Sequence, residues 1–295
     1  MTNTTGNKIA LVTGANTGLG FETTKFLAEK GIQVIMACRN IDKAKEAKQK
    51  IVNVYPKANL VILPLDLASL SSVNEFAEEV KQNFSHLDIL VNNAGLMFPP
   101  YEKTEDGFEL QFGINYLGHF LLTGLLIELL EKSAFGGRVV NLSSLAHKWG
   151  DIYFEDLQFE KEYDKQKAYG QSKLACLMFA YELDRRLKKT NSSILSVVAH
   201  PGLSRTGLFQ YLSGFYKIFI PFVYPFTQSA ACGAQSQIKA ALDKSLIGGE
   251  YIGPSGFQEF SGDPTIVSSN YISKDEVKAK RLWKISEKLV GINYL

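Results

Sequence analysis

Tyr169 and Lys173 stand four residues apart in Tyr169-Gly170-Gln171-Ser172-Lys173. On a helix that spacing puts both on one face. A phenol titrates near pH 10 and is a poor acid or base at neutral pH. Nearby positive charge favours the phenolate and lowers that value. Tyr169 could then give or take a proton at a bound oxygen. A Tyr–Lys pair is usually only a surface pair, so its meaning depends on what stands around it.

Two further polar residues could join it. Ser144 closes the apolar run that ends in Asn141-Leu142-Ser143-Ser144. Its hydroxyl can hydrogen-bond an oxygen on which charge develops, and Ser143 reads as a strand-end or turn residue. Asn115, in Asn115-Tyr116-Leu117-Gly118-His119-Phe120, sits inside a helical stretch although Asn is a poor helix former. It either binds a water linking Lys173 to solvent or distorts the helix and is satisfied by backbone.

The elements that must position these groups start at the other end of the chain. The apolar run Ile9 to Val12 leads into Thr13-Gly14-Ala15-Asn16-Thr17-Gly18-Leu19-Gly20, and a helical pattern from Phe21 to Lys30 stops at Gly31. Strand, glycine turn and helix make a phosphate-binding start, because unpaired N–H groups and the helix dipole favour an anion there. Glycine-rich turns also arise for structural reasons alone. Five more strands are expected, over Gln33 to Ala37, Asn59 to Leu65, Asp88 to Val91, Arg138 to Leu142 and Ile194 to Ala199. Helices are expected between them: Asp42 to about Tyr55 with Asp42 as N-cap, Ser69 to Phe84, about Gly107 to Lys132, and Lys167 to Lys188. His147 to Lys165 reads as irregular. Strands that are continuous apolar runs point to a parallel sheet covered on both faces. The expectation is one α/β, doubly wound domain.

Ligands of such sheets bind at the carboxyl ends of the strands. The expected ends carry Thr13-Gly14, Arg39, Asp66, Asn93 to Gly95, Ser143-Ser144 and Pro201-Gly202, which predicts one extended cleft for a dinucleotide. An acid at the end of the second strand would bind an adenosine ribose diol. Here that place reads Ala37-Cys38-Arg39-Asn40, with no acid. A guanidinium matches a 2′-phosphate in charge and fork geometry, so NADP(H) is favoured, unless Arg39 is only a solvated loop residue. Asp66 either accepts from the adenine amino group or is a turn residue. A cationic nicotinamide ring would add to the charge beside Tyr169, and Lys173 would also hold the nicotinamide ribose.

Bulk composition excludes several classes. With 32 basic and 30 acidic residues there is no case for a nucleic-acid surface. Cys38, Cys176 and Cys232 are scattered, which argues against a disulfide framework or a zinc site. His86, His119, His147 and His200 show no metal-ligand pairing, and each reads as structural. Met1 to Lys8 carries no apolar signal segment, and Phe215 to Phe226 is too short and interrupted to span a bilayer. A reducing, cytoplasmic location is expected.

TGANTGLG, NNAG, NYLGHF, the NLSS serine, YGQSK and HPG, in this order, resemble the short-chain dehydrogenase/reductase family from about Lys8 to Leu289. INYLGHFLLTGLL, RVVNLSSLAH, AYGQSKLACLMF, AKRLWKISEKLVG and Ala37-Cys38-Arg39 resemble its retinol dehydrogenase-like branch. The resemblance implies a Rossmann fold, with Asn115, Ser144, Tyr169 and Lys173 as a catalytic tetrad and NADP(H) as cofactor. It places cofactor contacts at Gly14, Asn16, Thr17, Gly18, Leu19, Gly20, Arg39, Asn40, Asp66, Leu67, Asn93, Ala94 and Gly95. Further contacts fall on Tyr169, Lys173, Pro201, Gly202, Leu203 and Thr206. The branch carries an insertion between its Ser and Tyr, and here Ser144 and Tyr169 are 25 residues apart. The chain departs from the pattern in lacking the N-terminal membrane anchor of many retinol dehydrogenases, and in Leu203-Ser204-Arg205-Thr206, where the family often has a valine-containing loop. The family also forms dimers and tetramers through two of its long helices.

On the substrate side, Leu96, Met97 and Phe98 follow the NNAG turn, and eight aromatics fall within residues 209–226. That segment reads as a lid at about 203–228 over an apolar substrate. It reads equally as core, as a subunit interface, or as a peripheral membrane contact helped by Lys217. A C-terminal extension is expected at about 254–295. The functional expectation is an oxidoreductase interconverting a small apolar carbonyl, retinoid-like or otherwise hydrophobic, with its alcohol. The pro-S hydride is the one the resemblance implies. A steroid or secondary-alcohol dehydrogenase is the close alternative, and an NADPH-binding sensor or scaffold without turnover is the alternative of a different class.

Overall fold

Apolar runs of four to six residues form the strands of one sheet. In the computed structural model, which describes residues 8–204 and 227–295, these are β1 Ile9–Thr13, β2 Gln33–Cys38, β3 Leu60–Pro64, β4 Ile89–Asn92, β5 Arg138–Leu142 and β6 Leu195–Ala199. Two short strands were not anticipated, β7 Tyr251–Pro254 and β8 Pro264–Ile266. The sheet order is β3-β2-β1-β4-β5-β6-β7-β8. Every pairing is parallel except β7 with β8, so the expected parallel sheet gains an antiparallel edge. Strand order reverses between β1 and β4, where a doubly wound sheet opens a crevice at its carboxyl edge.

Successive strand residues point to opposite faces, so one strand feeds two cores. Ile9 and Leu11 join one apolar cluster, and Ala10 and Val12 the other. The second face is covered by α1 Gly18–Glu29, α2 Ile41–Val54 and α7 Ala230–Leu242, through Leu27, Ile51 and Ile238. The first is covered by α3 Leu70–Asn83, α5 Gly118–Glu131, α6 Lys165–Lys189 and α8 Glu276–Val290, through Val73, Phe120, Leu174 and Trp283. The fold is a single α/β domain with helices on both faces.

Side-chain caps start most of these helices. Asn40, Ser69, Asp164, Ser229 and Asp275 accept backbone N–H groups at the heads of α2, α3, α6, α7 and α8. Asn40 therefore replaces the expected Asp42, because it lies outside the helix and its Oδ1 reaches Lys43 N at 2.9 Å. α1 and α5 are the exceptions: Thr17 occupies the cap position of α1 with no side-chain hydrogen bond, and α5 continues from Leu117 without a side-chain cap.

The long helix expected from Gly107 starts later and is not uniform. Glu109 accepts from Gln111 N and Phe112 N and opens a short α4, Leu110–Phe112. A π-helical turn, Gly113–Leu117, then joins it to α5. Between β5 and α6 the expected irregular segment begins with a 3-10 turn, Leu145–Trp149.

Candidate active site

The carboxyl ends of β1, β4 and β5 meet the N-terminal half of α6 at the crevice. At β1, Gly14 and Gly18 take left-handed φ angles of 65° and 54°. A Cβ on Gly20 would stand 2.3 Å from the Gly14 carbonyl oxygen, so only glycine lets α1 close on the turn. Cys38 lies beneath this turn. Burial pushes its thiol up to about 11, against backbone hydrogen bonds from Ala15 and Asn16.

The Asn93-Ala94-Gly95 turn is tied to β1 rather than left loose. Asn93 N and Ala94 N each donate to Thr13 Oγ1 at 2.9 Å, and Asn93 Nδ2 donates to Thr13 O at 2.7 Å. Asn115 lies in the π-turn and pins the next residue. Its Oδ1 accepts from Leu96 N at 2.9 Å, and its Nδ2 donates to Leu96 O and to Ser172 Oγ, both at 3.0 Å. The Asn115 side chain is thus held by the Leu96 backbone and by Ser172.

Tyr169 and Lys173 are both buried, one turn apart on α6. The Lys173 ammonium is 5.9 Å from the Tyr169 ring centroid and donates to Leu142 O at 3.2 Å. A Cβ on Gly95 would come 3.5 Å from Lys173 Nζ and 2.9 Å from Asn115 Oδ1, so the NNAG turn seats directly on the tetrad candidates. The Tyr169 ring takes the edge of Phe98 at 5.3 Å. Phe98 is held there with φ 61° by a hydrogen bond from its N to Gln111 Oε1 at 3.0 Å. The Tyr169 hydroxyl has no hydrogen-bond partner among the described residues.

The two serines make different bonds. Ser143 is buried and donates to the Lys173 carbonyl at 2.8 Å, bracing α6 against β5. Ser144, half-buried, begins the 3-10 turn and accepts from Ala146 N at 3.2 Å. Its carbonyl accepts from His147 Nδ1 at 2.7 Å. Burial pushes His147 down to about 4.

At the adenosine end Arg39 is 73% exposed, 3.9 Å from Asp66 Oδ2. Asp66 Oδ1 accepts from Ala68 N at 2.9 Å, so one oxygen makes a turn and the other faces the guanidinium. Leu67 packs against Gly118 in the core. Beyond β6, Leu203 N donates to Phe260 O, and Gln228 Nε2 donates to Pro201 O, both at 2.8 Å. Gly202 sits within this latch. Thr206 and the aromatic segment 209–226, with most of the expected lid, lie outside the described residues.

These features fit a nicotinamide dinucleotide. The uncapped N-terminus of α1 offers free N–H groups to a pyrophosphate, and an exposed guanidinium stands where an acid would suit a ribose diol. Thr13, Gln111 and Glu259 were not foreseen as supports, and His119 and His200 were expected to be structural without their partners being identified. His200 is fully buried, with its Nε2 2.9 Å from Glu259 Oε2, and Lys148 meets Glu259 Oε1 at 3.0 Å. For His119 a signal existed: it stands four residues after Asn115, within hydrogen-bond reach on a helix.

The model of the short chain dehydrogenase family matches residues 8–216. Retinol dehydrogenase 11 of Mus musculus is 42% identical over 285 residues, covering 97% of this chain and 87% of that protein. Retinol dehydrogenase 12 of Homo sapiens is 40% identical over 292 residues, covering 97% and 87%. Among solved structures, an uncharacterized protein from Mycobacterium paratuberculosis superposes with a TM-score of 0.82 at 37% identity, covering 98% of this chain and 95% of that one. A dinucleotide crevice, a Tyr–Lys turn facing it and these matches agree: the chain belongs to the short-chain dehydrogenase family, in its retinol dehydrogenase-like branch, and is an oxidoreductase of the alcohol–carbonyl type.

Proposed function

We propose that the chain is an NADP(H)-dependent enzyme that reduces an apolar, retinoid-like aldehyde or ketone to its alcohol and can run the reverse reaction. The observation that carries this is the buried Tyr169–Lys173 turn seated on Gly95, with an exposed Arg39 in place of an acid at the end of β2. The names of the relatives at 40–42% identity support the retinoid class of substrate.

When bound, the reduced nicotinamide supplies a hydride. The Gly14–Gly20 turn and the head of α1 hold the pyrophosphate, and Arg39 takes the 2′-phosphate. Asp66 would meet the adenine, while Asn93 to Gly95 and Pro201 to Leu203 would flank the nicotinamide half. Lys173 holds its ribose. Ser144 donates to the substrate oxygen, and Tyr169 delivers the proton to that oxygen as negative charge builds on it. Phe98 forms one apolar wall beside the Tyr169 ring.

The test is direct. Protein, NADPH and a panel of carbonyls including retinal are mixed, and the absorbance of the reduced cofactor is followed. Consumption with apolar aldehydes is expected. NADPH binding with no turnover across chemically diverse carbonyls would favour a sensor instead.

A further inference from the structure

The environment of His119 assigns its protons without reference to pH. The Asn115 carbonyl can only accept, and His119 Nδ1 lies 3.0 Å from it, so Nδ1 carries the hydrogen. On the other side, His119 Nε2 lies 2.9 Å from Thr13 Oγ1. A hydroxyl has two acceptor positions and one hydrogen. Both acceptor positions of Thr13 Oγ1 are taken by Asn93 N and Ala94 N at 2.9 Å. Its single hydrogen has two acceptors within reach, the Val91 carbonyl at 3.4 Å and Nε2 at 2.9 Å, and the shorter contact gives it to Nε2, which accepts it. Backbone amides cannot exchange roles with the hydroxyl, so no other tautomer satisfies all four groups.

The Asn115 carbonyl also receives Cys176 Sγ from α6 at 3.2 Å, and the Asn115 amide reaches Ser172 Oγ. Ser172 and Cys176 flank Lys173 on α6. A continuous buried chain thus runs from the base of the glycine turn, through His119, to the face of α6 that carries Tyr169 and Lys173. The π-turn makes it possible by presenting the Asn115 carbonyl to side chains.

We infer that His119 is a positioning residue: as the Nδ1–H tautomer it locks the Asn115 carbonyl to Thr13 Oγ1 and couples the cofactor turn to the proton-transfer face of α6. It touches neither cofactor nor substrate. Its kinetic consequence rests on the oxidoreductase reading proposed above; its tautomer does not.

Two variants divide the lock. In His119→Asn the amide nitrogen stands near the place of Nδ1 and keeps the bond to Asn115, releasing Thr13. In His119→Gln the amide oxygen reaches toward Thr13, and the Asn115 carbonyl loses its donor. Each variant forfeits one buried hydrogen bond, an effect of about tenfold. His119→Asn should weaken NADPH binding by about that factor with kcat nearer wild type, and His119→Gln should lower kcat by about that factor with NADPH affinity nearer wild type. Equal losses in both variants, tracking their loss of melting temperature, would make His119 a packing residue and overturn the inference. Nitrogen and carbon NMR shifts of the wild-type imidazole give an arm that needs no variant: an Nδ1–H signature is expected, and an Nε2–H or doubly protonated ring at neutral pH would overturn the lock. If wild-type protein binds NADPH but reduces no carbonyl, the functional proposal fails, while the NMR signature and NADPH titrations still decide the role of His119.

Discussion

Arg39 shows how one residue type can select a ligand. An acid at the end of β2 would accept the hydroxyls of an adenosine ribose, whereas a guanidinium repays its desolvation only against an anion. Arg39 is free to do so, since its sole ion pair among the described residues is the long 3.9 Å approach to Asp66. Arg39→Asp should lower the kcat/KM ratio of NADPH over NADH by roughly ten- to a hundredfold. An unchanged ratio would move phosphate recognition to Thr17 or Asn40. Gly95 gives a second expectation. A methyl there would press on Asn115 Oδ1 at 2.9 Å and approach Lys173, so Gly95→Ala should reduce turnover far more than it lowers the melting temperature. Turnover equal to wild type would mean that the NNAG turn and the tetrad candidates move independently. The chemical types of Tyr169, Lys173, Ser144 and Arg39 were legible in the sequence because their roles follow from side-chain chemistry at a strand end. The bonds of Thr13 and His119 were not, because they join β1 to α5 across 106 residues and leave no local pattern.

Elements were legible wherever an apolar run was continuous or a helical face was periodic, as in β5, read to the residue, and α3. The misses have local causes. Short pieces such as β7 and β8, at four and three residues with Pro at an end, carry too little pattern to stand out. The onset of α4 was set by the Glu109 carboxylate, which gathers two backbone amides and replaces the helix expected from Gly107. The π-turn at Gly113–Leu117 has no sequence period of its own. Histidines on three elements link the fold to pH. Burial lowers His119 on α5 and His147 on the 3-10 turn to about 4, and lowers His200 at the end of β6. Lys173 adds to the effect at His119; His200 and Lys148 add to it at His147, where Glu259 opposes them. Folded values below the unfolded value of about 6.5 mean that this contribution is complete above that pH and is lost as pH falls toward about 4. The melting temperature should therefore decline between about pH 6.5 and 5, before most carboxylates titrate. A flat profile over that interval would contradict the buried neutral rings.

At the scale of the whole molecule the C-terminal helix closes the first core. Trp283 of α8 is buried against Phe120 of α5 at 5.0 Å, Phe179 of α6 at 5.7 Å and Tyr294 at 4.9 Å, with the Arg186 guanidinium 4.2 Å from its ring. Any assembly through α5 and α6 would have to use surface other than this seam. Trp283→Ala should cost about 3–5 kcal/mol of unfolding free energy in denaturant titrations, and a loss below about 1 kcal/mol would show that α8 is only loosely docked. α8 was not expected as a helix: the sequence there reads only as a C-terminal extension at about 254–295, and which helices it covers depends on contacts far away in the chain. The stretch Leu110–Glu131 is long and apolar enough to cross a bilayer, yet 78% of its most apolar window is buried inside the fold, so it is the core helix of this sheet. Ser204 bridges to Gln228, which brings the two ends of the chain around residues 205–226 together beside Pro201 to Leu203. The proposed function turns on Tyr169 as the proton donor of a working carbonyl reductase. The most direct test is the rate of NADPH oxidation with retinal by wild-type protein and by Tyr169→Phe, with the NADPH dissociation constant measured for both. Turnover is expected in the wild type, with a loss of roughly a hundredfold or more in the variant and dissociation constants that agree closely; a Tyr169→Phe protein that turns over at the wild-type rate would rule out Tyr169 as the proton donor.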